Sequence, residues 1–145
     1  MPHRPIRELI ATRPLVTASP DSTVASAARL MKKKIVGAVL VIAHDGRLAG
    51  IFTERDALFR VMAEGRDPKG TRLAEVMTPH PRTIEADRPF AHALLMMYDG
   101  GFRHVPVLEN GHPIGVVSAR DALGPELSEF DSEIERRNRI QEILG

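Results

Sequence analysis

Two seven-residue stretches, Gly50 to Asp56 (GIFTERD) and Gly115 to Asp121 (GVVSARD), hold the side chains in this sequence best suited to chemistry. Each sets a glycine, two apolar residues, a hydroxyl, two further residues and an aspartate in the same order. At a strand-to-helix junction this order suits a nucleotide. Free N–H groups and the positive dipole at a helix start attract phosphate, and the hydroxyl of Thr53 or Ser118 adds a donor. A carboxylate is acceptor-only, so Asp56 or Asp121 can take both vicinal hydroxyls of a ribose. Arg55 and Arg120 offer charge to phosphate. The same spacing is also that of a capping box, in which hydroxyl and carboxylate satisfy only the helix's own amides. For a single copy the cap is the commoner explanation, and duplicated helices would need duplicated caps.

The elements that position these residues are written twice. Ile6, Leu9, Ile10 and Pro14 lie over Leu73, Val76, Met77 and Pro81 at an offset of 67. The offset becomes 66 where Thr17, Asp21, Val24, Ala27, Ala28 and Met31 lie over Thr83, Asp87, Phe90, Ala93, Leu94 and Met97, and stays so for Val39 and Val41 over Val105 and Val107. It falls to 65 for Gly46, Gly50, Arg55, Asp56, Ala57 and Leu58 over Gly111, Gly115, Arg120, Asp121, Ala122 and Leu123. Such a register identifies an internal repeat.

In each copy one apolar stripe at i, i+3, i+4 and i+7 predicts a helix: Val24, Ala27, Ala28 and Met31, then Phe90, Ala93, Leu94 and Met97. Asp21, Ser22 and Thr23 supply caps before the first. Two short β-rich runs joined by a turn follow, AVLVI and LAGIFT around HDG, then HVPVL and PIGVVS around NG. These predict hairpins. Pro106 cannot donate a ladder bond, which predicts an edge strand or one facing a ligand. A helix after Asp56 carries Leu58, Val61 and Met62, and Gly124–Pro125 is expected to cut its counterpart short. Ser128 and Asp131 are spaced as a capping box for a tail helix running to Leu144. Glu133–Arg137 and Glu135–Arg139 add i,i+4 pairs, and Leu127, Phe130 and Ile134 share a face. One unit of this size buries little core, so the copies are expected to pack on each other. The expected fold is α+β: two βαββα repeats, residues 1–66 and 67–126, as a pseudo-twofold tandem pair, with a helical tail over 127–145.

The pattern resembles the CBS-domain family, named after the C-terminal domain of cystathionine β-synthase, over nearly the whole chain. The motifs that carry the likeness are Leu73 to Pro79 (LAEVMTP), the PDSTV helix entry, FRHVPV with its partner VGAVLV, DGRLAGIFTERD and NGHPIGVVSARD. The resemblance implies two clefts between the repeats that bind adenosine ligands such as AMP, ADP or ATP, and a disc-shaped homodimer. It implies that Asp56 holds the ribose in one cleft and Asp121 in the other. Thr53 and Ser118 would lie near phosphate, and Ile51 and Val116 along base and sugar. The Asp121 site would borrow Thr12, Val16 and Val36–Gly37–Ala38. The Asp56 site would borrow Thr78 and Phe102–Arg103–His104, with Arg103 and His104 able to reach phosphate. The opening of the first copy, ELIATRP, departs from the V-M-T-P pattern, which bears on Thr12.

Composition excludes several other classes. Twenty Lys+Arg against nineteen Asp+Glu leave a formal charge of +1, which provides no field for nucleic acid or an anionic membrane. There is no cysteine, hence no disulfide, thiolate nucleophile or Cys-ligated zinc. The six histidines lack metal-ligand spacing. Lys32–Lys33–Lys34 closes a helix, where cations suit the dipole. No run is long enough to span a bilayer and no secretory signal is evident, so a cytoplasmic protein without membrane insertion is expected. No nucleophile elbow or P-loop is present, and an enzyme is not expected. A regulatory nucleotide module is the leading reading. A ligand-free dimerisation scaffold, with both motifs acting as caps, is the alternative.

Overall fold

The computed structural model describes residues 4–144, which form two small sheets with helices packed on them. The first half runs α1 (Ile6–Ile10), β1 (Thr17–Ala18), α2 (Val24–Lys34), β2 (Ala38–Ile42), β3 (Leu48–Thr53) and α3 (Glu54–Asp56), which continues as a π-helical segment, Ala57–Met62. The second runs α4 (Leu73–Val76), β4 (Thr78–Pro79), β5 (Ile84–Glu85), α5 (Phe90–Gly100), β6 (His104–Glu109), β7 (His112–Ser118) and a 3-10 turn, Ala119–Asp121. The tail helix α6 spans Gly124–Leu144. β1 and β5 pair parallel to β2 and β6, with α2 and α5 as the crossovers that parallel pairing requires. The hairpins β2–β3 and β6–β7 are antiparallel. Asn110 and Gly111 both have positive φ (52° and 80°), as the tightest hairpin turn demands.

The helices follow their sequence stripes with instructive exceptions. Thr23 caps α2, its hydroxyl accepting from the Ser26 N–H at 3.1 Å. Val24, Ala27 and Met31 are buried, but Ala28 is exposed, its place in the core taken in part by half-buried Leu30. All four stripe residues of α5 are buried. Of Leu58, Val61 and Met62, only Val61 enters the core. Leu58 and Met62 are 49% and 73% exposed, because the winding is π rather than α, with Ala63 donating to the Leu58 carbonyl. Gly124–Pro125 does end the counterpart helix at a single 3-10 turn, yet the same pair also opens α6. Ser128 and Asp131 therefore lie inside α6 and not at its start. Proline is tolerated in a first helical turn, where its missing N–H has no intrahelical acceptor. α6 packs on α5: Phe130 meets Tyr98 edge-on with ring centroids 5.6 Å apart, and Arg137 binds Asp99 at 2.6 Å. Of the expected tail pairs Glu133–Arg137 forms at 3.4 Å, while Glu135–Arg139 makes no ion pair among the described residues.

Pro106 lies in the central strand of its sheet, not at an edge, paired with Val116. Its missing N–H nevertheless shortens the ladder. In the first half the parallel pairing starts at Thr17–Leu40, with the Leu40 N–H reaching the Val16 carbonyl. In the second it starts one residue later, at Ile84–Val107.

The opening segments pack crosswise. Ile6 and Ile10 of α1 join the core of Phe90, Val105, Val107 and Val117, and the Arg7 N–H donates to the Ala86 carbonyl. Leu73 and Val76 of α4 join the core of Val39, Val41 and Phe52. Ile6 and Leu73 are 0% exposed, so each burial contributes about 1.5–3 kcal/mol. β4 adds to the edge of β3 through Ile51–Thr78. Glycine makes this close approach possible. A Cβ at Gly50 would lie 2.6 Å from Met77 Sδ and 2.7 Å from the Thr78 carbonyl oxygen. Each half thus lends its first turn of helix to the other, and this exchange brings the walls of the clefts together.

Candidate functional site

Asp56 and Asp121 stand just beyond the ends of β3 and β7, the equivalent strands of the two hairpins. Both make the cap their spacing predicts. Asp56 Oδ2 accepts from the Thr53 N–H at 3.0 Å, while the Thr53 hydroxyl accepts from the Asp56 N–H at 3.2 Å. Asp121 Oδ2 accepts from the Ser118 N–H at 2.8 Å. Capping leaves the other oxygen of each carboxylate for further partners, and each aspartate also faces an open cleft between the halves.

The cleft beside Asp56 has a volume of about 1050 Å³ and brings together Thr53, Arg55, Asp56 and Ile51 from one half with Thr78, Phe102, Arg103 and His104 from the other. All eight were expected from the sequence. Three basic residues at its rim were not: Arg60, Arg82 and His80. Arg55 and Arg82 lie over the rings of Phe59 and Phe102 at 5.3 and 5.9 Å. Neither forms an ion pair among the described residues, so ring stacking holds both guanidinium groups while leaving them available to an anion. Arg60 is tied to the Met77 carbonyl at 3.0 Å and approaches Asp56 Oδ1 at 3.5 Å.

The cleft beside Asp121 has a volume of about 660 Å³. Ser118, Arg120, Asp121 and Val116 line it from the second half, with Val16 and Val36–Gly37–Ala38 from the first. Thr12 does not. At the offset of 67 it is Ala11 that lies over Thr78, so Thr12 is left exposed and Arg13 fills the wall. The Arg13 guanidinium holds Asp121 by both arms, Nη1 to Oδ2 at 3.0 Å and Nη2 to Oδ1 at 2.7 Å. Burial pushes the Asp121 carboxyl up, but Arg13 and the Ser118 N–H together outweigh it and hold the group below its ordinary range. Leu15, Ile35 and Val36 add an apolar wall that stays 42%, 86% and 37% exposed. Ile35 was not among the expected residues. Its signal was its register, since it occupies the place of Gly101 and shares that glycine's left-handed backbone at φ 55°.

Glu54, Arg103 and His104 line both clefts and form the septum between them. The packing there is close: a Cβ at Gly37 would lie 3.1 Å from His104 Nε2 and 3.2 Å from Glu54 Oε1. Burial holds the His104 imidazole below its ordinary pKa, against the opposing pull of Glu54. In formal charge each cleft sets four Lys or Arg residues against two carboxylates. Positive, partly apolar grooves with a carboxylate at one end can hold a phosphorylated, sugar-bearing aromatic. Among the described residues no group of His, Asp and Glu is arranged to hold a metal, and no helix is long and apolar enough to cross a membrane.

Residues 6–63 and 73–124 each match the family described as CBS domain. A CBS domain-containing protein of Arabidopsis thaliana is 35% identical over 137 residues, 94% of this chain and 25% of that protein. An uncharacterized protein of Methanopyrus kandleri is 30% identical over 136 residues, 93% of this chain and 69% of that one. The chain therefore spans only a quarter of the first relative. Among solved structures, a CBS domain protein from Pyrobaculum aerophilum complexed with AMP superposes with a TM-score of 0.80 at 28% identity, covering 89% of this chain and 99% of that one.

Proposed function

The chain belongs to the CBS-domain family, and from that premise we propose that it is a regulatory, non-enzymatic module that binds adenine nucleotides (AMP, ADP or ATP) in the two clefts and signals their level to a partner protein. One observation carries the reading: Asp56 and Asp121, at equivalent strand ends, each open onto a positively lined cleft built from both halves. In this reading each aspartate keeps its capping bond and offers its remaining acceptor capacity to ribose hydroxyls. Arg55, Arg82 and Arg103 meet phosphate in the Asp56 cleft, and Arg120 and Arg103 do so in the Asp121 cleft. The AMP held by the Pyrobaculum aerophilum protein supports the ligand class. The reading includes a cytoplasmic homodimer. Exposed Leu58, Phe59 and Met62 in one half and Leu123 and Leu127 in the other support self-association.

Thermal unfolding with millimolar AMP, ADP and ATP tests the proposal. A ligand at 100 times its Kd adds about 2.7 kcal/mol of apparent stability. Asp56→Ala and Asp121→Ala should each remove the contribution of one cleft. The observed capping bonds favour one other reading, a ligand-free dimerisation scaffold. Under that reading the same substitutions lower stability by about 0.5–2 kcal/mol and no nucleotide moves the transition.

A further inference from the structure

The two aspartates are not equally free to meet a ribose. Asp121 already has three donors on its two oxygens, one from the Ser118 N–H and two from the parallel arms of Arg13. A side-on guanidinium takes the face of a carboxylate that two vicinal hydroxyls would take, so the two arrangements exclude each other. The Asp121 side chain is only 12% exposed, and Arg13 occupies both of its oxygens. Arg13 itself is 42% exposed and hangs from a short turn, its own N–H bound to the Ile10 carbonyl at 3.1 Å, so its side chain can swing while its backbone stays.

The other cleft lacks this device. The register of the repeat puts His80 where the first half has Arg13. His80 forms no ion pair with Asp56 among the described residues, and Arg60 reaches Asp56 Oδ1 through Nε alone at 3.5 Å, its Nη1 committed to the carbonyls of Val76 and Met77, so no two-armed bridge covers that carboxylate.

We propose that Arg13 is a latch on the Asp121 cleft, closing the carboxylate when the cleft is empty and passing to the nucleotide's phosphate when ribose displaces it. This rests on the nucleotide reading above. It makes the Asp121 cleft a discriminator. A nucleoside must break the Arg13 bridge and gives that cation nothing in exchange, whereas a nucleotide supplies a new anion. The Asp56 cleft has no such requirement.

Titration of the full chain with adenosine and with AMP, followed by amide NMR shifts of Gly115 and Val116 for one cleft and of Gly50 and Ile51 for the other, reads the two sites separately. Arg13→Ala should tighten adenosine in the Asp121 cleft by about fivefold, the size of a partly exposed ion pair. AMP should be unchanged or weaker, so the preference for AMP over adenosine falls at least fivefold there and stays constant in the Asp56 cleft. Arg13→Lys should restore part of the preference. An equal change for both ligands, in either direction, overturns the latch alone. Absence of binding at the Gly115 and Val116 amides in both wild type and Arg13→Ala overturns the nucleotide reading of that cleft.

Discussion

Replacing Ile35 by glycine should make the protein more stable and its Asp121 cleft poorer. Ile35 ends α2 in the left-handed region, φ 55° and ψ 52°, where a β-branched side chain collides with its own backbone. That conformation costs a non-glycine residue about 1–2 kcal/mol. Glycine removes the strain but gives the unfolded chain more freedom, returning about 0.5–1 kcal/mol. At 86% exposure the isoleucine side chain contributes little burial to lose. The net is a gain of about 0.5–1 kcal/mol, or roughly 2 °C in a chain of this size. Gly101, the matching residue at the end of α5, has φ 71° and no atom within 4 Å of where a Cβ would stand, so Gly101→Ile meets only the backbone penalty. It should lower the transition by a similar amount. Circular dichroism melts of the two single variants measure both. A lower midpoint for Ile35→Gly, or both variants moving the same way, would refute the strain argument. The nucleotide-induced shift assigned to the Asp121 cleft should meanwhile shrink in Ile35→Gly, because the apolar wall keeps only Leu15 and Val36.

Gly50→Ala should destabilise by about 1–3 kcal/mol, since its Cβ would strike the Thr78 carbonyl of β4, which cannot move without breaking the β3–β4 pairing. Gly115→Ala should lose less, because its nearest neighbour is the end of the Ile10 side chain at 3.0 Å, and urea midpoints would rank the two. Thr53→Ala removes the hydroxyl that caps α3 and should lower stability by about 0.5–2 kcal/mol without a ligand, a loss the same urea titration detects. His104 is held below its ordinary pKa chiefly by burial, so the unfolded chain takes up its proton first as pH falls. Its contribution is intact above the ordinary histidine range and declines as pH drops through about 6.5. Melts of wild type and His104→Gln between pH 5 and 8 should differ in slope only on the acid side of this range.

The strands and hairpins were legible because their signals are local. The β-rich runs and the Asn110–Gly111 turn fix β6 and β7 without reference to anything distant. The gathering of the expected side chains around Asp56 follows from the same clarity of register. Thr12 failed because one residue separates the opening of the first half from the pattern of the second. The offset of 67 that placed Ile10 over Met77 already put Arg13, not Thr12, in position to meet the cleft. Ala28 sits at the edge of its stripe and turns outward because the buried face of α2 centres on Ala27 and Met31, with Leu30 beside them. The outward Leu58 and Met62 were illegible for a different reason. A helical stripe says which residues share a face only while the winding is α, and a π segment re-aims them. Which core α1 and α4 would join was beyond the sequence altogether. Two similar apolar helices offer the same face to either half, and tertiary geometry makes the choice.

The crosswise seating of those two helices has a consequence for how the chain is born. Ile6 and Ile10 leave the ribosome well before their partners, and their berth among Phe90, Val107 and Val117 does not exist until the second half has been synthesised. The amino-terminal half, for its part, must wait for Leu73 and Val76 before its own interior is sealed. A nascent chain stalled in the connecting stretch would show two greasy, unmet surfaces at once, a state prone to mispairing. Cleavage in that same stretch, after synthesis is complete, would leave two fragments each still clasping a piece of the other.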